Sequence, residues 1–377
     1  MSAAAETPRF PEGVVRRQCA AILAGWGLAG ENLEASVDAL TDCDLRGIDT
    51  HGISLLALIS NWMKNGGYDL AVEPKIEAEG PAHATVDAGN GLGFPAAAFA
   101  TRLAVRKAKQ AGIAVTTVRR SHHFGAAGYY ARLAAREGVI CLVATSTKVV
   151  CVVPPGGAEP VLGTNPLAYG IPTAGGEPIV FDMATSTAAG NKIRIHHLQD
   201  KPLPEGWVVD GEGRPVTDPH AAYRIIYGGA PGGLTALGAT PALGVHKGYG
   251  LALLGHFLGG SLAGGAFNGA ARQTAGSEDN IGHCFIAIDP ALLRGFEAFT
   301  ADVGTVAGRL RGAAPVDPGR PVLMPGDIEN QVRAARLKEG VPLAPALLAQ
   351  LSAIAKGLGV PFHLTPEAAL SDRPASQ

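Results

Sequence analysis

The segment IAVTTVRRSHHFGAAGYYARLAAREGVICLVA spans residues 113–144. Its opening, Ile113 to Val118, is rich in β-branched residues and reads as a strand. Val139 to Ala144 reads the same way. Between them Tyr129 to Glu137 reads as a helix, and Gly138 closes it. A strand–helix–strand unit makes at least part of the protein α/β. The turn into the helix, Arg120–Gly125, carries two adjacent histidines, His122 and His123. At such a turn, side chains and free backbone N–H groups can face one ligand.

Upstream, Ala84 to Ala88 reads as a strand, followed by Gly89-Asn90-Gly91-Leu92-Gly93 and a helix from Ala96 to Gln110 opened by Pro95. Three helices precede this. Val15, Cys19, Ile22, Leu23 and Trp26 share a face of the first. The second turns Leu33, Val37 and Leu40 inward and Glu34, Asp38 and Asp42 outward. The third, Ile53 to Lys64, is apolar on most sides and ends at Gly66-Gly67. Downstream, Val149–Val153, Leu167–Ile171 and Pro178–Phe181 read as strands. Residues 204–219 and 228–244 read as surface loops. A glycine-rich helix follows, then a strand at Cys284–Ile288. Helices are expected over Ala291–Leu310, Ile328–Leu337 and Ala344–Leu358, with a frayed tail after Pro366.

Composition narrows the function classes. The chain has 377 residues, 47% of them hydrophobic and 17% charged, enough for two or three domains and not a disordered chain. A net charge of −2 argues against nucleic acid or an anionic membrane as partner. Five cysteines, an odd number without CxxC spacing, fit core residues in a reducing compartment, so a cytoplasmic location is expected. The N-terminus lacks a signal-peptide pattern. No apolar run reaches the ~18 residues of a membrane span.

The residues bear on several chemistries. Gly89-x-Gly91-x-Gly93 only loosely resembles a dinucleotide fingerprint, because Phe94-Pro95 displaces the third glycine; a plain turn fits better. His51 and His123 each sit in a glycine-flanked loop beside a hydroxyl, Thr50 or Ser121. Imidazole titrates near neutrality and suits proton exchange with a carbinol or carbonyl. The pairs His122-His123 and His196-His197 lack metal-binding spacing, so no metal is expected. There is no GxSxG elbow. The segments DMATSTAAGNK (182–192) and GVHKGYG (244–250) offer hydroxyls, amides and a lysine suited to phosphate or ribose.

Taken together, DLRGIDTHG (44–52), NGLG (90–93), SHHFGAAGYYA (121–131), GTNP (163–166), IVFDMATS (179–186), LPEGW (203–207), HKGYGLAL (246–253), IAIDP (286–290) and MPGDIE (324–329) resemble the malate/L-lactate dehydrogenase family. These are NAD(P)-dependent oxidoreductases distinct from the Rossmann-fold lactate and malate dehydrogenases. The family includes ureidoglycolate, sulfolactate and diketogulonate enzymes and piperideine/pyrroline-2-carboxylate reductases.

The resemblance implies an α/β fold: a non-Rossmann cofactor domain with a largely antiparallel sheet, and a helical lobe formed by both chain ends. The expected boundaries are 1–75 with 290–377 for the lobe, 76–120 for a connecting segment and 121–289 for the NAD(P)-binding and catalytic domain. It implies NAD or NADP, a small-molecule substrate and a homodimer. His123 matches the acid/base histidine, with His51 as second candidate. Thr50 faces the substrate, with Arg46 and Ser121 as further substrate contacts. Asp182, Met183, Ala184, Thr185, His246, Lys247 and Glu329 match cofactor contacts, and Ser146, Thr164, Asn165, Lys192 and Gly248 complete that set.

Three positions depart from the family pattern. Leu55 and Ile59 stand where an arginine and a tyrosine are usual, and His256 where a carboxylate is usual. Arg46, Arg119, Arg120 or Lys148 are then the candidates to hold an anion. The reading is an oxidoreductase acting on a 2-hydroxy/2-oxo acid. The alternatives are a cyclic-imine reductase or a family member that binds ligand without catalysis.

Overall fold

The computed structural model describes residues 7–64, 67–267 and 280–369. The expected helix stop at Gly66 and most of the tail after Pro366 fall outside them. The chain opens with β1 (Arg9–Phe10), α1 (Glu12–Gly25), α2 (Gly30–Leu45) and α3 (Leu55–Met63). Then come β2 (Lys75–Gly80), β3 (His83–Asp87), α4 (Gly93–Ala111), β4 (Ile113–Ser121), α5 (Ala127–Arg136) and β5 (Ile140–Thr145). The middle holds β6 (Val152–Val153), β7 (Leu167–Ile171), β8 (Ile179–Met183), α6 (Gly190–Leu198), β9 (Val208–Asp210), α7 (Pro219–Tyr227), β10 (Gly232–Thr235) and α8 (Val245–His256). The last part is β11 (Ile281–Ile288), α9 (Pro290–Leu293), α10 (Phe296–Arg311), α11 (Asp327–Glu339), β12 (Val341–Pro342) and α12 (Pro345–Leu358).

The main sheet has seven strands in the order β2-β3-β4-β11-β5-β7-β8. Only β3 and β4 pair in parallel; every other neighbouring pair is antiparallel. The strand–helix–strand unit is present, but its strands are not neighbours, because β11 lies between them and antiparallel to both. Alanines of α4 and α5 form one buried core with Val86, Val143, Ala168 and Phe285 of the sheet. Small side chains let the helices sit close. At Gly170 of β7 a Cβ would stand 2.2 Å from the Ala131 carbonyl of α5.

A second core joins the two chain ends. β1 pairs with β12, and Phe10, Val15, Ile22 and Leu40 pack with Leu56, Ile59, Val341 and Leu351. A third core surrounds a small sheet of order β6-β10-β9. This corrects the reading of residues 228–244 as a surface loop; residues 204–219 lie largely at the surface as read, apart from β9. Gly232–Thr235 is fully buried, and Pro219–Tyr227 is a helix capped by the Asp218 carboxylate. The expected helix over Ala291–Leu310 is also interrupted, because Gly295 adopts a φ of +88° before α10 begins. Asp42 is not outward. Its carboxylate accepts from Arg46 and Arg132 in a largely buried cluster. All five cysteines are buried and unpaired, and none of the described helices is long and apolar enough to cross a membrane.

His283 of β11 is wholly buried at the sheet centre. Its Nε2 is hydrogen-bonded to Ser121 Oγ of β4 (2.9 Å) and its Nδ1 to Thr145 Oγ1 of β5 (2.7 Å). Burial, with the neighbouring His123, pushes its pKa down from 6.5 to about 3. Between those values the unfolded chain binds the extra proton, so native stability falls as pH drops through that window. His283→Gln removes this dependence. At neutral pH the variant should lose roughly 1–3 kcal/mol through unsatisfied hydroxyls. Urea unfolding at about pH 7 and about pH 5 should show the gap to wild type narrowing on acidification. A gap that does not change would refute a neutral buried His283.

Candidate active site

The histidine turn is held from three sides. Arg120 takes a φ of +52°, and its N–H donates to Asn280 Oδ1 (2.7 Å). His122 is buried and stacks on Tyr68 at 3.5 Å, with Nε2 hydrogen-bonded to the Gly67 carbonyl. Phe124 stacks on His283 at 4.3 Å, and Tyr130 Oη donates to the Phe124 carbonyl (2.5 Å). Gly125 has a φ of +81°, and a Cβ there would meet Phe94 at 2.9 Å. The NGLG stretch is a turn into α4, and its Gly93 lets the helix start against the backbone of His122 and His123. A Cβ at Gly93 would lie 2.3 Å from the His122 carbonyl.

His123 is thereby fixed. The Gly125 N–H donates to its Nδ1 (3.1 Å), so the neutral ring carries its proton on Nε2. Burial, with His51 close by, lowers its pKa to about 3. A resting imidazolium is therefore disfavoured. The His51 ring centroid lies 5.5 Å away, and burial lowers its pKa also. His51 Nδ1 is hydrogen-bonded to Thr50 Oγ1 at 2.8 Å.

The loop carrying His51 is pinned by Asp44, whose buried carboxyl accepts from the Ile53 N–H (2.8 Å). Its pKa rises to about 8, chiefly through burial. Gly52 is required there, since a Cβ would overlap the Asp44 carboxyl. From α11, Arg336 donates to the Asp44 carbonyl and pairs with Asp49.

Both imidazoles line a cleft of about 1180 Å³. Of the expected site residues, Thr50, Ser146, Thr164, Asp182, Met183, Ala184 and Glu329 line it too. Asp182 accepts from the Gly128 N–H (2.7 Å) at the start of α5, a carboxylate at a helix N-terminus. Its pKa is raised to about 6, mainly by burial.

The other expected site residues are placed differently. Arg46 is fully buried, its guanidinium donating to Asp42 (2.9 Å), Glu177 (3.2 Å) and Asn330 (2.5 Å). Ser121 holds His283. Thr185 donates to the Thr164 carbonyl (2.8 Å), and Asn165 Nδ2 to the Ala252 carbonyl (3.2 Å), so both shape the wall from behind. Lys192 lies over Trp207, His246 and Lys247 are exposed, and Gly248 is packed against Leu237. None of these lines the cleft. Arg119 pairs with Glu77 and Arg120 with Asp87, whereas Lys148 is on the cleft wall. Among the described residues no cluster has the makings of a metal site.

Sequence reasoning missed Trp62, whose ring is 6.0 Å from that of His123. It also missed Arg132, which lines the cleft while bound to Asp42 (2.6 Å), and His283 beneath the turn. A histidine inside an apolar strand, as in IGHCFIAI, was the available signal for the last.

Comparison with known proteins places the chain in a family. The family model for malate/L-lactate dehydrogenase matches residues 11–352. A malate dehydrogenase of Pyrococcus horikoshii is 33% identical over 90% of this chain and 92% of its own length. A delta(1)-pyrroline-2-carboxylate/delta(1)-piperideine-2-carboxylate reductase of Pseudomonas syringae pv. tomato is 33% identical over 82% of this chain and 85% of its own. The crystal structure of malate dehydrogenase from Entamoeba histolytica superposes with a TM-score of 0.89 at 30% identity, covering 95% of this chain and 99% of that one. The chain is an oxidoreductase and belongs to the malate/L-lactate dehydrogenase family.

Proposed function

We propose that the cleft binds NAD or NADP together with a 2-oxo acid or its 2-hydroxy form. His51 and His123 would manage the proton on the reacting oxygen. The observation that carries this reading is the pair of imidazoles 5.5 Å apart on the wall of one large cleft. A drug-sized ligand needs about 300–1,000 Å³, so a cleft of about 1180 Å³ has room for a dinucleotide and a small substrate. Ser146 and Thr164 offer polar contacts, and the Asp182 and Glu329 carboxylates are acceptors suited to ribose hydroxyls. Met183 and Ala184 complete that wall. In place of a Rossmann loop, the holding groups sit at the β5, β7 and β8 side of an antiparallel sheet. Lys192, His246, Lys247 and Gly248 would serve only the distal end of the dinucleotide.

When bound, the nicotinamide exchanges a hydride with the substrate carbon. The protein's part is polar. His123, with Nδ1 occupied by the Gly125 N–H, directs an Nε2–H donor at the substrate oxygen. His51 gives or takes the proton, because a hydroxyl partner such as Thr50 can donate or accept and so serves either ring tautomer. A cyclic imino acid presents nitrogen in place of oxygen to the same pair, which keeps the imine reductase reading open beside the 33% identity to such an enzyme.

The first test follows NADH and NADPH absorbance against a panel of 2-oxo acids and cyclic imines; silence with both cofactors would overturn the reading. His51→Gln should lower kcat about 10²–10⁴-fold with cofactor affinity retained. Reduction needs protonated His51 and so should slow as pH rises past a midpoint below 6.5; oxidation should slow as pH falls through it. His51→Gln should flatten both limbs. His123→Gln, which keeps an N–H donor, should retain more activity than His123→Ala.

We also propose a homodimer. The sheet face opposite α5 presents an apolar row, Val115–Ile286–Leu142–Tyr169–Phe181, across five strands. Leu142 is 43% exposed and Ile113, near the row, 47%. Exposed apolar area of this kind marks association surfaces. Leu142→Lys should shift wild-type dimers toward monomers in sedimentation velocity; a monomeric wild type would refute the assignment.

A further inference from the structure

α3 turns Leu55, Leu58 and Trp62 toward the cleft. Spacings of three and four residues make one stripe of a helix. Ile48, from the loop before His51, lines the cleft with them. The stripe reaches the reacting groups, since the Trp62 ring stands 6.0 Å from that of His123. It carries no charge. The cations nearest the adjoining loop are engaged elsewhere, Arg46 on Asp42 and Glu177, and Arg336 of α11 on Asp49. The described cations on the cleft wall are Arg132, bound to Asp42, and Lys148. A second carboxylate or a sulfonate laid against α3 would be desolvated beside leucine and indole without a partner there.

Resting on the oxidoreductase reading above, we propose that this stripe is the subsite for the substrate's side group and accepts a hydrocarbon. The preferred substrates would be 2-oxo acids, or their imines, bearing a branched aliphatic or aryl side chain; dicarboxylates and sulfonates would be discriminated against.

The test measures kcat/KM under saturating cofactor for 2-oxo acids with methyl, isobutyl and benzyl side chains, and for oxaloacetate. Each methylene that reaches the stripe should raise kcat/KM about tenfold or more, and oxaloacetate should trail the isobutyl and benzyl acids. Leu58→Arg places a cation on the stripe. Leu58 is 48% exposed, so the fold should tolerate the change, and circular dichroism checks that it does. The variant should gain on oxaloacetate and lose on the benzyl acid. Wild-type preference for oxaloacetate, or a Leu58→Arg variant with an unchanged ranking, would overturn the subsite and leave the oxidoreductase reading standing. Absence of cofactor turnover with every probe would overturn that reading and the subsite with it.

Discussion

The bridge from Ser121 through His283 to Thr145 fixes the geometry on which the site depends. It crosses β4, β11 and β5, and Ser121 and Thr145 lie 162 and 138 residues from the bridging ring in sequence. β4 ends at the histidine turn, and β5 runs into the Ser146–Lys148 wall of the cleft. The same ring stacks on Phe124, the residue after His123. Burial keeps this imidazole neutral. The C-terminal third of the chain thus sets the position of a histidine near residue 120.

Other buried polar groups also tie elements together near the cleft, two of them by accepting a backbone N–H. Asp44 accepts the Ile53 N–H and so shapes the loop of His51. Asp182 accepts the Gly128 N–H, supplying α5 with the cap that Ala126 lacks. Arg46 and Arg132 share Asp42 and tie α2 to α5, and Arg46 also reaches Glu177 in the turn before β8. Removing one partner from such a group leaves a desolvated charge, which is why breaking it costs more than the pair itself contributes. Arg46 therefore belongs to the frame, although it was a candidate to hold a substrate anion.

Local pattern was legible where the element is local. β7 is Leu167–Ile171 as read, and α5 starts two residues earlier than the helix expected at Tyr129. The glycine-flanked histidines do meet in space. The place of β11 was not legible, because a strand carries no local mark of its neighbours. β10 was missed because its glycines look like a loop; they are there for close approach, since a Cβ at Gly232 would lie 2.1 Å from the Val209 carbonyl. Trp62 and Leu58 were missed because an apolar helical stripe normally means core.

A short helix apolar on most sides should be buried on most sides. One face is: Leu56 and Ile59 are 0% and 2% exposed within the core that joins the chain ends. Leu58, at 48%, is not covered by the chain itself, and it faces the cleft with Leu55 and Trp62. Ile59 stands where a polar residue was expected near the pocket, yet it packs into the core and does not line the cleft. Leu55 alone of the three departures lies on the wall, so the change in pocket chemistry concentrates on one helical stripe. The hydrophobic pattern of α3 is then satisfied from two directions, by the core on one side and by whatever fills the cleft on the other.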